Sequence, residues 1–380
     1  MIYFDNSATT PVSKAVADEI YSVLTEGWGN PSAANGKGVE AAKLLSSCEK
    51  DVLSLLGVRD VMSGQLVFTG SGTEADNQAI LGSIFSKNFR YKPRIITDDS
   101  EHPAVLRAFE EAERRGCEVR YLHTVGGVID PEELESYLTS ETVLISLMRV
   151  NNETGAIYDV RSAFRAAKAK CPDIVTHCDA VQGFGKTDCS PKSLGADLVS
   201  VSGHKIGGPK GIGALWIDKK LLTARRVSPI IFGGGQMQGL RSGTENMPGI
   251  VGMAAAARLR KPAEELKKVV EVREAILSTL PEGVTLNACR GEYLPHILSL
   301  RCEGVKSEVM VRLLSEKGIY ISSGSACSTK KLKTSHVLTA FGLKPSEADQ
   351  TVRVSLSADN TPAEALAFTE ALGEGVKRLR

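Results

Sequence analysis

The chain has 380 residues, 42% of them hydrophobic, and its 46 lysines and arginines nearly balance its 45 aspartates and glutamates. That length can bury a large core and predicts two domains. The near-zero net charge gives no field that would favour nucleic acid or an anionic membrane surface as a partner, and no apolar run approaches the roughly 20 residues of a bilayer span.

The N-terminus lacks the basic region and long apolar stretch of a signal peptide. The eight cysteines are scattered, without a CxxC pair or a Cys/His ligand spacing. This argues against a structural zinc site, so we expect no metal. It also fits a reducing compartment, so we expect a cytoplasmic protein.

From about residue 65 to residue 217, short β-branched runs alternate with amphipathic helical stretches, for example 73–89, 103–115 and 160–169. Such alternation predicts an α/β fold, with a mostly parallel sheet covered by helices on both faces. The strand candidates are 66–69, 94–97, 118–122, 143–148, 174–178, 197–201 and 213–217.

After Gly249 the pattern changes to a long helical region that ends near residue 280, with Pro262 as the expected break. A smaller mixed segment and a helix from about Pro362 follow. We therefore predict a large domain over 15–255 and a small α+β domain formed by 1–14 and 256–380.

Lys205 lies in the run Ser-Gly-His-Lys-Ile-Gly-Gly-Pro, directly after a predicted buried strand. Ligands of α/β proteins bind where strands end. A lysine amine can form a Schiff base with a cofactor aldehyde. A solvated surface lysine is the alternative for an isolated Lys, and the neighbouring residues argue against it.

Small residues at 69–74 follow the first strand of this sheet and open a helix. Gly72 and Thr73 could offer N–H groups and a hydroxyl to a phosphate, although such residues are equally typical of ordinary helix caps. Ser202 and His204, beside Lys205, could reach the same phosphate.

Asp179 also emerges at a strand end, where it could pair with the protonated ring nitrogen of pyridoxal phosphate. A simple helix cap is the alternative interpretation. Gln182 could donate to the ring hydroxyl. His102 could stack on a flat cofactor or move protons, although an isolated histidine after a strand is more often structural or capping. Asn152 ends another strand and could bind a carboxylate or a ring oxygen.

Cys327 differs from the other cysteines because its neighbours are small and polar and three lysines follow it. Nearby cations favour the reactive thiolate. The alternative is an inert free thiol on a loop. Arg353 alternates with apolar residues in a strand-like run and could clamp a carboxylate, or it could be a plain edge-strand arginine. A glycine-rich polar loop that includes Thr244 precedes the long helix and is expected to meet a ligand or another subunit.

Taken together, these motifs closely resemble the cysteine desulfurases of the NifS/IscS type, which are fold-type I, class-V aminotransferase-like enzymes that use pyridoxal phosphate. The resemblance runs nearly end to end. The matching segments are 3–11, 29–32, 69–77, 101–102, 150–155, 179–182, 202–211, 233–236, 241–244 and 322–327.

The resemblance implies a role for each matched position. Lys205 would hold the cofactor covalently and Cys327 would take the sulfur of L-cysteine as a persulfide, leaving L-alanine. For the cofactor ring, the resemblance implies that Asp179 pairs with the ring nitrogen, His102 stacks on the ring and Gln182 contacts the phenolic oxygen. It implies phosphate binding by Gly72, Thr73, Ser202 and His204, with Thr244 of a partner subunit completing the phosphate site. Asn152 and Arg353 would bind the substrate carboxylate.

The resemblance also implies a homodimer and a sulfur-acceptor protein, either an iron–sulfur scaffold or a sulfur carrier for thio-modification. The Ser-Ser-Gly-Ser-Ala-Cys run resembles the group I enzymes. Two regions depart from the family pattern. The family usually has histidine and arginine near Asn35 and Val39, and usually a Gly-Arg-Phe-Thr run where this chain has Ser357-Ala358-Asp359-Asn360.

Three alternatives remain open at this stage. Selenocysteine lyase would keep the same cofactor, and so would another class-V lyase or transaminase, although a transaminase needs no cysteine at position 327. The third alternative is a weakly active homologue that serves as a sulfur-relay subunit. The complete set of Lys205, His102, Asp179 and Cys327 argues against it.

Overall fold

The fold is built around a seven-stranded sheet with helices on both faces. The computed structural model describes residues 1–324 and 334–380. Within these residues the strands are β1 Ile2–Tyr3, β2 Gly64–Thr69, β3 Arg94–Asp98, β4 Glu118–Leu122, β5 Thr142–Met148, β6 Val175–Asp179, β7 Leu198–Ser202, β8 Gly213–Asp218, β9 Val284–Leu286, β10 Ile297–Cys302, β11 Ile319–Tyr320, β12 Ser322–Ser323 and β13 Thr351–Ser355.

The α-helices connect these strands in the pattern that the sequence predicts. The helices are α1 Lys14–Thr25, α2 Gly36–Leu55, α3 Gly72–Phe85, α4 Pro103–Arg114, α5 Pro131–Tyr137, α6 Val160–Lys170, α7 Pro191–Leu194, α8 Lys219–Thr223, α9 Met247–Leu259, α10 Pro262–Ser278, α11 Ser307–Glu316, α12 His336–Ala340, α13 Pro345–Ala348 and α14 Pro362–Leu379. The expected break at Pro262 is confirmed, because a new helix begins there. No helix in the described parts of the chain is long and apolar enough to cross a membrane.

The large sheet has the order β2-β8-β7-β6-β5-β3-β4. Its strands are parallel except β8, which pairs antiparallel with both β2 and β7. The mostly parallel, seven-stranded α/β architecture is therefore confirmed. Strands β5, β6 and β7 are buried along their whole length, as expected for parallel strands covered on both faces.

Two apolar layers cover this sheet. On one face α9 is buried almost all round against α1 and α2. On the other face α3 and α4 pack around Ile80 and Phe109, both fully buried. Helices on both faces leave the carboxyl ends of the parallel strands as the accessible edge of the sheet.

A second core surrounds a smaller antiparallel sheet of order β12-β13-β10-β9, backed by α10, α11 and α14. Phe4 belongs to this core, where its ring meets the Phe368 ring edge-on at 5.6 Å. Strand β1 pairs in parallel with β11. The division into domains at 14/15 and 255/256 stays a prediction.

Candidate active site

Lys205 lies in a single 3-10 turn, Gly203–Lys205, directly after β7. Its Nζ donates to the backbone oxygens of Ser7 at 2.5 Å and Ala8 at 2.9 Å. The N-terminal segment therefore crosses the carboxyl edge of the sheet and contacts the amine. The lysine is half-buried, in the place that the sequence predicts.

Asp179 ends β6 and is paired in register with Met148 of β5 and Ser200 of β7. Its Oδ1 accepts the Val181 N–H at 2.8 Å, so the residue also caps the local turn. Burial raises the pKa of this carboxyl to about 6, while the Lys205 ammonium acts in the opposite direction. A buried carboxylate in this state would be stabilised by a cationic partner.

Gln182 lies one turn further on, with its Nε2 donating to Ser7 O at 2.9 Å. Its Oε1 is buried and has no hydrogen-bond partner in the part of the chain that the structure describes. Gln182 and Lys205 therefore contact the same backbone oxygen, which brings two of the predicted site residues together.

His102 precedes α4 and caps it, because its Nδ1 accepts the Ala104 N–H at 3.1 Å. This contact places the proton of the neutral ring on Nε2. Burial, together with the charge of Lys205, lowers the pKa of His102 to about 4. The ring is therefore neutral at pH 7, and the capping and cofactor interpretations of His102 are compatible.

In the predicted phosphate-binding segment, the Gly70 N–H already donates to Glu74 Oε2 at 2.8 Å. A Cβ on Gly72 would lie 2.9 Å from Val181 Cγ2 and 3.3 Å from Ser202 Cβ. The start of α3, the end of β7 and the turn after β6 thus meet without space for a side chain. Thr73 is exposed in the first turn of α3.

His204 shares the turn of Lys205. Its Nδ1 lies 3.2 Å from Thr9 Oγ1, and its backbone oxygen accepts Thr10 Oγ1 at 2.8 Å. Burial lowers the pKa of His204 to about 4, so it is a neutral hydrogen-bonding group at pH 7.

Thr244 lines a cavity of about 190 Å³ together with Thr69, Gly70 and Gly211. Its predicted contribution from a partner subunit stays a prediction. A larger cavity of about 600 Å³ lies elsewhere, around Arg149 and Tyr158, and none of the described residues predicted for the site lines it.

Arg353 projects from β13 and is only 5% exposed. Its Nη2 donates to Asp5 Oδ1 at 2.8 Å and its Nη1 to the Asn152 backbone oxygen at 3.2 Å. Its Nε is buried without a partner among the described residues. The structure thus brings Arg353 and Asn152 together, and Asp5 is a partner that the sequence analysis missed.

Besides Asp179, which the sequence singled out, and Glu153 in the turn after β5, three more buried carboxyl groups lie near this edge of the sheet in the described residues. They are Asp76, Asp98 and Glu101. Burial raises the pKa of Glu101 and of Asp76 well above the ordinary value and that of Asp98 to about 7. Glu101 directly precedes His102, which is the sequence signal that could have identified it.

The seven cysteines within the described residues lack the exposure and the low pKa of a reactive thiol. All are buried except the partly buried Cys289. Burial raises the pKa of Cys48 and Cys289 to about 11 and that of Cys189 and Cys302 to about 12. These thiols stay protonated at neutral pH. Cys327 lies outside the described residues.

The two regions that depart from the family pattern have ordinary structural roles. Asn35 caps α2 by accepting the Gly38 N–H at 3.0 Å, and Val39 is exposed on that helix. Asn360 Oδ1 accepts the Ser357 N–H at 2.8 Å, while its Nδ2 donates to Tyr3 O at 3.2 Å. The second region therefore hydrogen-bonds, through Tyr3, to the N-terminal segment whose Ser7 and Ala8 contact Lys205.

The residues at this edge fit pyridoxal phosphate. Lys205 supplies the amine, Asp179 a buried carboxylate, and Gln182 Oε1 a buried polar atom without a partner among the described residues. The space beside Gly72 is closed to side chains but lies at the N-terminus of a 14-residue helix, which favours an anion. Each polar part of the cofactor thus has a complementary group.

Comparison with known proteins gives a consistent result. The family model for class-V aminotransferases matches residues 2–368. A cysteine desulfurase of Trichormus azollae is 37% identical over 386 aligned positions, which cover 100% of this chain and 94% of that protein.

Solved structures agree with this match. A NifS-like protein superposes with a TM-score of 0.91 at 35% identity, covering 100% of both chains. SspA in complex with cysteine superposes with a TM-score of 0.82 at 32% identity, covering 94% of this chain and 99% of that one.

Proposed function

This chain belongs to the class-V aminotransferases and, among them, to the cysteine desulfurases of the NifS type, and we propose that its site at the carboxyl edge of the large sheet converts L-cysteine to L-alanine and a Cys327 persulfide. The cofactor is pyridoxal phosphate. When bound, it supplies an electron sink for the bonds at the substrate α-carbon.

The observation that carries the proposal is the convergence on Lys205. Its charge acts on the pKa of His102, Asp179 and His204, which lie at the carboxyl ends of three different strands. A lysine surrounded by these groups, with its Nζ on the Ser7 and Ala8 oxygens, is suited to hold the cofactor and then to move a proton at the substrate α-carbon.

Asp179 would hold a proton on the cofactor ring nitrogen, because a buried carboxylate strongly favours a cationic partner. His102, neutral at pH 7, would lie against the ring without adding a charge beside Lys205. Gln182 would contact the phenolic oxygen, while Gly72, Thr73, Ser202 and His204 would hold the phosphate.

Arg353 and Asn152 would hold the substrate carboxylate. The guanidinium is fixed by Asp5 and by the Asn152 oxygen, and its buried Nε donates to none of the described residues. A fixed fork of donors aligns a carboxylate well. This alignment would direct the substrate sulfur towards Cys327.

Sulfur transfer needs no oxidant or reductant besides L-cysteine and the Cys327 thiolate. The Cys327 thiolate forms an S–S bond with the substrate sulfur as the Cβ–S bond of the substrate breaks. The carbon retains the bonding pair and is protonated to the methyl group of L-alanine. The sulfane sulfur stays on Cys327 for transfer to an acceptor protein, a scaffold or a sulfur carrier.

A homodimer would complete the site with Thr244. A large apolar side chain close in sequence to Thr244, Phe232, is 80% exposed. Phe232 directly precedes the glycine-rich loop that leads to Thr244. We expect this exposed ring to lie in the dimer interface, and size-exclusion chromatography with light scattering tests whether the chain is a dimer.

Replacement of Cys327 with alanine tests the function. We expect cofactor absorbance and its response to added L-cysteine to persist while alanine formation is lost. Cys289→Ala is the matched control, because that thiol is protonated and partly buried, and it should keep wild-type turnover. Full alanine production by Cys327→Ala would contradict the proposal.

A further inference from the structure

Three polar side chains lie inside the large sheet, where apolar residues are expected. Ser146 of β5, His177 of β6 and Ser200 of β7 are each 0% exposed. Parallel strands that are covered on both faces are normally apolar runs, and a buried polar group costs free energy unless it is hydrogen-bonded. None of the three has a role in the proposed chemistry, so their presence in the core needs another explanation.

The His177 ring links the three strands. Its Nδ1 lies 2.7 Å from Ser146 Oγ and its Nε2 lies 2.9 Å from Ser200 Oγ. Burial lowers the pKa of His177 to about 3, so the ring is neutral at pH 7. A neutral imidazole has one donor and one acceptor, and a hydroxyl can serve either of them. Both ring nitrogens are therefore satisfied without a charge.

This network lies directly behind Asp179. Side chains alternate along a strand, so His177 and Asp179, two residues apart on β6, lie on the same face of the sheet. Ser146 is paired in register with His177, and Ser200 with Asp179. A slip of one residue between these strands would turn Asp179 to the opposite face. The bonds of His177 to β5 and β7 oppose such a slip.

Helix α3 adds Asp76, which is 1% exposed, to the same network. Its Oδ1 lies 3.7 Å from His177 Nε2 and has no hydrogen-bond partner among the described residues. Burial and the charge of Asp179 raise the pKa of Asp76, while a hydrogen bond with the Ser200 hydroxyl acts in the opposite direction. Burial thus favours the neutral form of Asp76, as it does for His177.

The four connected elements all lead to residues that would bind the cofactor or the substrate. Helix α3 begins at Gly72, β6 ends at Asp179, and β7 ends at Ser202, three residues before Lys205. Strand β5 leads to the turn that contains Asn152. A buried polar network whose members are satisfied makes one arrangement of its elements rigid. The network therefore fixes these elements relative to one another.

We propose that His177 is a positioning residue for the cofactor: as a neutral cross-link between β5 and β7, it holds Asp179 in place to pair with the ring nitrogen. The inference rests on the proposed function. A protonated ring nitrogen disfavours a second positive charge nearby, on the Schiff base with Lys205. The absorbance of the bound cofactor against pH therefore reports how well Asp179 is held.

His177→Phe, in the full chain loaded with pyridoxal phosphate, is the main test. Phenylalanine keeps a ring of similar size but leaves both serine hydroxyls without their partner. We expect the pH midpoint of the cofactor absorbance change to rise by roughly one unit, because the ring nitrogen loses its proton more easily. The Kd of pyridoxal phosphate should rise about 10-fold or more.

Smaller changes keep the test usable if His177→Phe fails to fold. Ser146→Ala and Ser200→Ala each remove one hydrogen bond from the ring and should raise the midpoint less, in the same direction. His177→Asn keeps an amide that can still bond to Ser146. Its midpoint should therefore lie between those of the wild type and His177→Phe.

Thr176→Val is the matched control for general destabilisation. Thr176 is the neighbouring residue on β6 and is equally buried, but it lies on the opposite face of the sheet. Its Oγ1 donates to Gly195 O at 3.0 Å and to Asp197 Oδ2 at 2.9 Å. Urea unfolding of the cofactor-free chain should show a loss of stability in Thr176→Val, while the absorbance midpoint stays at the wild-type value.

The outcomes distinguish the two proposals. If the wild-type chain binds no pyridoxal phosphate or makes no alanine from L-cysteine, the proposed function fails and this inference fails with it. If the wild type is active and His177→Phe, or Ser146→Ala and Ser200→Ala in its place, keep its midpoint and its cofactor Kd, only the role of His177 is overturned. An equal shift of the midpoint in Thr176→Val would also contradict that role.

Discussion

Arg353 Nη2 donates to Asp5 Oδ1 at 2.8 Å across 348 residues of sequence. Both groups are shielded from solvent, with side-chain exposures of 6% and 18%. Asp5 thus fixes the guanidinium and balances its charge before a substrate arrives. Two of the three guanidinium nitrogens make these contacts, and the buried Nε has no partner among the described residues.

Arg353→Lys should weaken cysteine binding with a smaller effect on turnover. Lysine keeps the positive charge beside Asp5 but loses the fork that grips a carboxylate. Hydrogen bonds to a charged group contribute about 1.5–3 kcal/mol, so KM should rise roughly 10- to 100-fold. Steady-state kinetics of alanine formation measures this.

Arg301→Lys is the matched control for that experiment. Arg301 belongs to the same small sheet and pairs with Glu347 at 2.5 Å, but it contacts none of the predicted site residues in the described structure. Its KM should equal that of the wild type. An unchanged KM in Arg353→Lys would remove the guanidinium from substrate binding.

The seven strands of the large sheet were predictable because each is a short run rich in β-branched and other apolar residues, and β5, β6 and β7 are buried on both faces. Their order was not, because it depends on pairing between distant segments. The reversal of β8 between β2 and β7 leaves no mark in the local sequence. Helix ends were also less certain, and α3 ends at Phe85, four residues before the predicted end.

The site was predictable where a residue type and a strand end coincide. Lys205, Asp179 and His102 meet that condition, and each lies at the expected edge of the sheet. Asp5 does not, because it acts through Arg353, 348 residues away in the sequence. The capping bonds of Asp179 and His102 also show that a structural interpretation need not exclude a functional one.

Lys205→Ala should abolish covalent cofactor binding. Its Nζ lies at the edge of the sheet on the Ser7 and Ala8 oxygens, among the groups that fit the cofactor. Borohydride reduction followed by mass spectrometry should find the cofactor mass on the wild-type chain and not on the variant. Lys210→Ala, an exposed lysine in the same run, is the control. A reduced adduct of normal yield in Lys205→Ala would contradict the assignment.

Gly72→Ala should weaken cofactor binding. The new Cβ would lie 2.9 Å from Val181 Cγ2, and the clash must displace either the start of α3 or the turn between Asp179 and Gln182. Overpacking of this kind costs about 1–3 kcal/mol, so the Kd of pyridoxal phosphate should rise roughly 10-fold or more. Absorbance titration of the cofactor-free chain measures the change.

Gly36→Ala is the control for Gly72→Ala, because it also starts a helix and a Cβ there would meet nothing within 4 Å. It should bind the cofactor normally. Equal affinity in the two variants would show that the phosphate does not depend on the close packing at Gly72.

Asp98→Asn should gain stability relative to the wild type as the pH rises towards 7. Asp98 is fully buried, and its Oδ1 accepts the N–H and hydroxyl of Ser100 at 2.9 and 2.7 Å, while its Oδ2 has no partner within the described ranges. Burial raises the pKa of this carboxyl from 3.8 to about 7. Between these values the native state holds a proton that the unfolded chain has released. The contribution of Asp98 to stability is therefore complete below pH 4 and is lost as the pH rises to 7, at about 1.4 kcal/mol per pH unit.

Urea unfolding from pH 5 to pH 8 should show the wild type losing stability relative to Asp98→Asn up to about pH 7 and holding a constant difference above it. Asp173→Asn, which removes an exposed carboxylate, measures how much of the trend comes from net charge alone. A difference between wild type and Asp98→Asn that does not change with pH would show that Asp98 is ionised throughout this range.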